Sequence, residues 1–212
     1  MAGTKTAKNI SLYGVHPSVE RVKSMAARLQ EKTGRSLQGW TTLAKKDGPK
    51  DEKDRRAWLI SKYKLGGNDA TWISERAAGK SGDMDSPEKY LETAVLHVEE
   101  QYAGAKEKLR PIFEELLELG KSMGADVKAC PCSTMVPLYR EHVFAQIKPT
   151  TNSRVDLGLA LTHYKGKLPK RLVDTGGLAK KDRITHRFEL TSAEQIDDEV
   201  KKWLKTAYEL DK

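Results

Sequence analysis

The hydrophobic periodicity of this chain changes near residue 127, and that change limits the folds that are open to it. Before residue 127, apolar residues recur every three or four positions, which is typical of amphipathic helices. After it, apolar and polar residues alternate, which is the pattern of half-buried strands. The last twenty residues return to the helical pattern, with Ser192 as the expected N-cap of this final helix. We therefore predict an α+β protein.

The N-terminal part of the sequence predicts a small helical bundle. Three tryptophans, Trp40, Trp58 and Trp72, supply its largest apolar side chains. Capping and turn residues place the starts of four helices near Pro17, Ser36, Asp51 and Asn68 or Asp69. The polar, glycine-bearing segment 79–85 then has the composition of a linker. We accordingly predict a basic helical domain over residues 1–80 and a second domain over residues 86–212.

The second domain is predicted to contain helices, a four-stranded antiparallel sheet and a C-terminal helix. Two amphipathic helices are expected before residue 124, with an interruption at Gly104. The expected strands are Val127–Cys130, Val136–Ile147, Val155–Leu161 and Ile184–Leu190. Helices before and after such a sheet imply a two-layer domain, with the helices on one face of the sheet.

The positive charge of the chain is unevenly distributed. Residues 1–80 carry 17 Lys and Arg against 8 Asp and Glu, whereas residues 81–212 carry 21 against 22. Within the second domain, residues 128–187 carry 12 basic and 4 acidic residues. Such local excesses attract anionic partners, so nucleic acid or a small anionic ligand is the expected partner. No run approaches the roughly 18 apolar residues of a membrane span, and the first residues lack the apolar stretch of a secretory signal, so we expect a cytoplasmic protein without a membrane partner.

Several motifs resemble those of bacterial proteins that pair two domains of unknown function. The N-terminal motifs are HPSV, EKTGRSL and RRAWL, which are similar to those of a small helical domain. The C-terminal motifs are CPC, YREHVFAQIKPTTNSRVDLGLAL and KKDRITHR, which are similar to those of an α+β domain. This resemblance covers nearly the whole chain, but it implies no particular activity.

The basic residues of both domains are the candidate binding residues. In the helical domain, the helix pair 55–65 and 70–78 with its intervening turn permits a helix-turn-helix interpretation. The predicted anion- or nucleic-acid-binding residues are Arg55, Arg56, Arg76, Arg140, Lys148, Arg154, Lys180, Lys181, Arg183 and Arg187. The candidates for a ligand pocket on the basic sheet face are Tyr139, His142, Asp156 and His186, the last of which strand alternation places at the edge of the core.

Two interpretations of function follow from these residues, and the sequence leaves both open. The first is a non-enzymatic protein that binds an anionic polymer such as nucleic acid through the helical domain, assisted by the sheet face. The second is a sensor or binding module that holds a small anionic ligand near Arg154, Lys181 and Arg187. No catalytic motif, cofactor motif or complete metal-ligand set is present, so we expect no catalytic residue, cofactor or metal. Cys130 and Cys132 are interpreted as packing residues, with a metal or redox role as the alternative.

Overall fold

The computed structural model describes residues 12–80 and 82–212, which form two compact units. Residues 1–11 and Ser81, which belong to the predicted helical domain and linker, lie outside the described residues. One unit is His16–Tyr90, and the other contains Leu91–Lys212 together with the described residues 12–15. We call them the helical unit and the sheet unit. The division between them falls inside a helix, whereas the sequence placed it in the segment 79–85.

The helical unit is built from short amphipathic helices around a core of large apolar side chains. Its helices are α1 (Ser18–Thr33), α2 (Leu37–Asp47), α3 (Glu52–Tyr63) and α4 (Gly67–Ala77), followed by the start of α5 (Pro87–Gln101). The buried core residues include Leu29, Trp40, Leu59, Leu65 and Ile73. Burying such side chains supplies most of the stability of short helices, because isolated helices of this length are marginal in water.

The sheet unit has the α+β organisation that the sequence predicts. After α5 come a 3₁₀ segment (Gly104–Leu109), α6 (Arg110–Ser122), α7 (Gly177–Lys180), a 3₁₀ turn (Ala193–Gln195) and α8 (Asp198–Leu210). Its strands are β1 (Lys128–Ala129), β2 (Val136–Tyr139), β3 (Val143–Thr151), β4 (Arg154–Leu159), β5 (Val173–Asp174) and β6 (His186–Leu190). They form one antiparallel sheet in the order β1-β2-β3-β4-β6-β5.

One face of this sheet packs against α6 and α8. Residues that pair directly on neighbouring strands lie on the same face of a sheet. The pairs Leu138↔Ala145 and Leu157↔Phe188 place fully buried side chains on the face that packs against the helices. The ring of Phe144 contacts that of Tyr208 on α8, with 5.5 Å between their centroids. Phe144 belongs to the same core cluster as its neighbour Ala145, and the pairing of β2 with β3 shifts register beside it. In the regular parts of the strands, the positions that alternate with the core residues form the opposite face.

The strand prediction was wrong in one region and incomplete in another. Val136–Ile147 is two strands, because the chain turns at residues 140–142, where the Arg140 N–H donates to the His142 carbonyl at 2.9 Å. Residues 163–182, for which the sequence predicts no strand, contain β5 and α7. With the division of Val136–Ile147, the sheet has six strands in the described residues and not four. The missed strand β5 has two residues, which is too short for a recognisable alternation.

Two predicted helix caps also differ. α4 begins after Gly66, which is extended and offers no side-chain acceptor, so Asn68 and Asp69 lie in the first turn. α8 is capped by Asp197, whose side chain accepts from the Val200 N–H at 3.1 Å, whereas Ser192 precedes the 3₁₀ turn. None of the described helices combines the length and apolar character needed to cross a membrane.

Candidate functional site

The face of the sheet opposite the helices carries a charge-balanced network of ion pairs, whereas the sequence predicted a cationic surface. Arg154 and Asp156 are two residues apart on β4 and therefore lie on the same face, as do Arg187 and Glu189 on the adjacent β6. Arg154 lies 2.8 Å from Asp156 and 3.1 Å from Glu189. Arg187 donates to Glu189 at 2.7 Å and lies 3.5 Å from Asp156. Two guanidinium groups thus meet two carboxylates, and the four formal charges cancel.

The electrostatics of this ion-pair network favour the ionised state of Glu189. The hydrogen bond from Arg187 is the main reason why the pKa of Glu189 lies below its usual value. Asp156 is 8% exposed and also accepts from the Thr150 hydroxyl at 2.8 Å. An external anion would therefore have to displace existing carboxylate partners, which makes Arg154 and Arg187 poor anion ligands.

A second cluster surrounds the buried carboxylate of Asp211, at the end of α8. It accepts from the backbone N–H of His142 at 2.8 Å, lies 3.1 Å from the imidazole Nδ1 of the same residue, and pairs with Arg183 at 2.6 Å. Arg140 donates to the Asp211 carbonyl at 3.2 Å and pairs with Asp126 at 2.9 Å. The predicted candidates His142, Arg140 and Arg183 therefore hold the β2–β3 turn and residue 183 to the end of α8.

A cavity of about 340 Å³ lies beside this cluster and brings together two of the predicted basic residues, Lys181 and Arg183. Thr162 and His163 supply further polar groups, and Leu178 and Leu210 supply apolar surface. Lys181 has a positive φ of 59°, an uncommon conformation for a residue other than glycine. Lys180 is exposed on α7 and does not line this cavity.

The remaining candidates of the sheet unit occupy separate places. Tyr139 is paired with Val143, and burial is the largest cause that raises its pKa to about 12. His186 is paired with Leu159 on the core side of the sheet and lies 3.0 Å from the Thr185 hydroxyl. Lys148 lines a different cavity, near the β3–β4 hairpin. The four predicted pocket residues, Tyr139, His142, Asp156 and His186, therefore do not form a single pocket.

Both cysteines are free thiols. Burial raises the pKa of Cys130 to about 12 and also raises that of Cys132, which reduces the thiolate fraction of both at neutral pH. Across residues 12–80 and 82–212, no group of three or more His, Cys, Asp or Glu side chains is arranged to hold a metal ion. The packing interpretation of these residues is the one that their burial favours.

In the helical unit, two of the three predicted basic residues are not available to a ligand. Arg55 is only 6% exposed, and it donates to Ser74 and to the carbonyls of Pro49 and Lys50 at 3.1–3.2 Å. Arg76 pairs with Asp85, with one hydrogen bond of 2.8 Å. Arg55 is thus a structural residue that joins α3 to α4, and Arg76 is neutralised by Asp85. Of the three, only Arg56 is exposed.

A cleft of about 440 Å³ in the helical unit gathers basic residues that the sequence analysis did not single out. Its cations are Lys32, Arg35 and Lys64, and its aromatic residues are Trp40 and Tyr63. The Arg35 guanidinium lies 4.6 Å from the centroid of the Trp40 ring, a cation–π geometry. Lys64 projects from the left-handed C-cap of α3, which has a φ of 55°.

The charge of this cleft is only partly compensated. Lys32 lies 3.8 Å from Asp69, whereas Arg35 and Lys64 form no ion pair with any described residue. The Lys62 ammonium lies 5.5 Å from the centroid of the Tyr63 ring and is likewise without an acidic partner in the described part of the chain. The sequence does contain a signal for this cleft, because the segment KTGR at residues 32–35 places two cations on either side of a glycine that ends a helix.

Most of the sheet unit matches a recognised domain family of unknown function. The family described as "Domain of unknown function (DUF5655)" matches residues 98–211, which is more than half of the chain. The chain is therefore a member of the DUF5655 family. No curated protein and no solved structure matches the chain.

Proposed function

We propose that this chain is a non-enzymatic binding protein whose helical unit binds an anionic polymer, specifically nucleic acid. The observation that carries the proposal is the cleft in which Arg35 and Lys64 lie without acidic partners among the described residues. Arginine and lysine side chains in this state are free to contact phosphate groups, which dominate the affinity of most proteins for nucleic acid.

A polymer fits these cations better than a single small anion does. Exposed basic side chains occur on several helices of this unit outside the cleft, and no described acid pairs with them; examples are Arg21, Lys45, Lys46, Lys53 and Arg56. A chain of phosphates can contact cations at several positions at once, whereas a small ligand reaches only one site. The sheet face no longer supports the proposal, because its arginines are already paired.

Two finer points belong to the same proposal. The motifs HPSV, EKTGRSL and RRAWL support the identification of the helical unit as the small helical domain that bacterial proteins combine with a domain like the sheet unit. The free thiols of Cys130 and Cys132 are consistent with a reducing, cytoplasmic environment.

The proposal can be tested by fluorescence anisotropy with labelled single-stranded and duplex DNA and RNA at about 50 mM salt. We expect binding whose logarithmic affinity falls linearly with the logarithm of the salt concentration. The double variant Arg35→Gln/Lys64→Asn should reduce the slope by about 1.4–1.8, because about 0.7–0.9 is lost for each phosphate contact. Asparagine suits position 64 because it tolerates a positive φ.

The matched control is Lys167→Gln/Lys202→Gln, which removes two exposed positive charges of the sheet unit that do not line the cleft. It should weaken binding less and leave most of the slope unchanged. If no nucleic acid binds at micromolar protein and low salt, the proposal is wrong. Equal losses in the two double variants would also contradict a role of the cleft itself.

A second candidate function is the binding of a small anionic ligand in the cavity beside Asp211. The observation in its favour is that Lys181, which was predicted from the sequence, lines this cavity and forms no ion pair with any described residue. Arg183 also lines the cavity, but it is paired with Asp211, and Asp182 adds a second acid to the lining. A thermal-shift screen of carboxylates and phosphorylated metabolites should find stabilisation of about 2.7 kcal/mol at a hundred times the dissociation constant. The shift should be lost in Lys181→Asn; a shift that persists in this variant would place the ligand elsewhere.

A further inference from the structure

The second helix of the pair that permits a helix-turn-helix interpretation, α4, offers few side chains to the groove of a duplex. The Thr71 hydroxyl donates to the Gly67 carbonyl at 2.8 Å, and Ser74 is 1% exposed. Arg76, further along the same helix, is paired with Asp85. A recognition helix reads base pairs through several free polar side chains on one surface. α4 is therefore a poor recognition helix, which disfavours the reading of a duplex.

Arg35 in the basic cleft offers a different kind of contact, because its guanidinium is a flat cation that lies over an aromatic ring. The guanidinium is 4.6 Å from the centroid of the Trp40 ring. The Nε1 of that indole donates to the Thr33 hydroxyl at 2.9 Å, which fixes the ring beside the cleft. Arg35 itself is exposed, so the guanidinium face turned away from the indole is accessible to a ligand. Unpaired bases stack on arginine planes as they do on aromatic rings.

The aromatic contacts continue from Trp40 towards the end of α3. The ring of Tyr63 lies 5.2 Å from that of Trp40 and 5.1 Å from that of Trp58. The Lys62 ammonium lies 5.4 Å from the centroid of Trp58. This aromatic cluster thus has a cation at each end, Arg35 and Lys62, and neither forms an ion pair with a described acid. Interleaved cations and aromatic rings are typical of surfaces that bind single strands, where rings stack with bases and cations contact phosphates.

We propose that the cleft binds single-stranded nucleic acid, with an unpaired base stacked on the guanidinium of Arg35 and a phosphate at Lys64. The N–H groups of Arg35 lie in the plane of the guanidinium, so they can donate to a phosphate while the face holds the base. A base in a single strand can turn towards the protein, whereas a base in a duplex must first lose its pairing and stacking. This inference rests on the proposed binding of nucleic acid and specifies the form that is bound.

The test is fluorescence anisotropy of the full chain at about 50 mM salt with three labelled probes of about 16 nucleotides. They are a single strand, the same strand in a duplex, and a strand of abasic sugar-phosphate units, which keeps the phosphates and lacks the bases. We expect the single strand to bind more tightly than the duplex, and about five- to a hundredfold more tightly than the abasic strand. If the duplex or the abasic strand binds as tightly, this inference is wrong although the chain does bind nucleic acid. If none of the probes binds, the proposed function fails as well.

Arg35→Lys separates stacking from charge. Lysine keeps the positive charge but has no planar group, so the single strand should bind about fivefold more weakly or worse, with an unchanged salt slope. Arg28→Lys, at an exposed position of α1 outside the cleft, is the matched control and should leave the affinity unchanged. Urea denaturation of both variants verifies that they are folded to the same extent as the wild type. Wild-type affinity for the single strand in Arg35→Lys would overturn the proposal.

Discussion

Nη2 of Arg183 lies 2.6 Å from Oδ1 of Asp211, a carboxylate whose side chain is 2% exposed. The other oxygen of the same carboxylate accepts from the backbone N–H of His142 at 2.8 Å. Asp211 therefore serves as a common acceptor for two chain segments that are far apart in sequence. His142 and Arg183, which the sequence analysis names as candidate binding residues, therefore connect the end of the last helix to the sheet.

Removal of this carboxylate should destabilise the sheet unit. Asp211→Ala leaves the donors of His142 and Arg183 without their acceptor, and we expect the free energy of unfolding to fall by about 1–3 kcal/mol. Urea denaturation followed by circular dichroism measures the loss. Glu209→Ala, at an exposed position two residues earlier, should change the stability by less than about 0.5 kcal/mol. Equal effects of the two substitutions would contradict the role of Asp211.

Arg55 should not tolerate lysine. Its guanidinium uses three nitrogens to reach Ser74, Pro49 and Lys50, and a lysine ammonium cannot reproduce this fork. We expect Arg55→Lys to lower the free energy of unfolding of the helical unit by about 1–3 kcal/mol. The neighbouring Arg56→Lys, on the exposed side of α3, is the control and should be nearly neutral. Wild-type stability in Arg55→Lys would refute the structural role.

Gly120 should be sensitive to the smallest side chain. A Cβ at this position on α6 would lie only 2.4 Å from a methyl group of Leu138, which is fully buried and cannot move aside freely. We expect Gly120→Ala to cost about 1–3 kcal/mol in thermal or urea unfolding. Gly39→Ala on α2 meets Cγ of Arg35 at 3.0 Å as its nearest neighbour and should cost less than Gly120→Ala. A stabilising Gly120→Ala would show that α6 does not approach β2 this closely.

Asp197 should contribute to the acid sensitivity of the sheet unit. The Val200 N–H that it caps is the main reason why its pKa lies below the usual value, and its pairing with Arg171 lowers the pKa further. Its stabilising effect is therefore fully present above the unfolded-state pKa, about 3.9, and is lost as the pH falls through the lower folded-state value.

Asp197→Asn keeps a capping acceptor but removes the titration. Urea denaturation at a series of pH values from about 2 to 7 should show a shallower loss of stability in this variant over the acid range. The pH profile above about 5 should keep its shape, because Asp197 is ionised in both states there. Parallel acid limbs in the variant and the wild type would exclude this contribution.

The helices, the α+β class and the main strands follow from local patterns, which is why the sequence predicts them. Short-range interactions also form the turn at Asp174, whose side chain accepts from the Gly176 N–H at 2.7 Å. The caps at Gly66 and Asp197 were missed because several residues near each helix start had suitable side chains. The choice between them depends on tertiary packing.

The candidate binding residues were harder to predict, because their charge depends on partners that other strands supply. A count of basic residues over 128–187 identifies charge, but the partners Asp156 and Glu189 neutralise it through the pairing of β4 with β6. Part of this charge neutralisation could have been predicted from the sequence. The segments RVD at 154–156 and RFE at 187–189 each place an acid two positions after an arginine, on the same strand face. The cleft at Arg35 and Lys64 could not be predicted from a local pattern, because it depends on how α1, α2 and α3 pack.

The shortness of the outer strands has a consequence for the behaviour of the chain in concentrated solution. β1 and β5 form the two margins of the sheet and have two residues each, and the Gly14 N–H already donates to Ala129 on β1. A long margin with free backbone groups would act as a template on which other chains add strands and aggregate. Here little backbone is left for such additions, so the apolar β3 and β4 are shielded inside the sheet from intermolecular β-pairing.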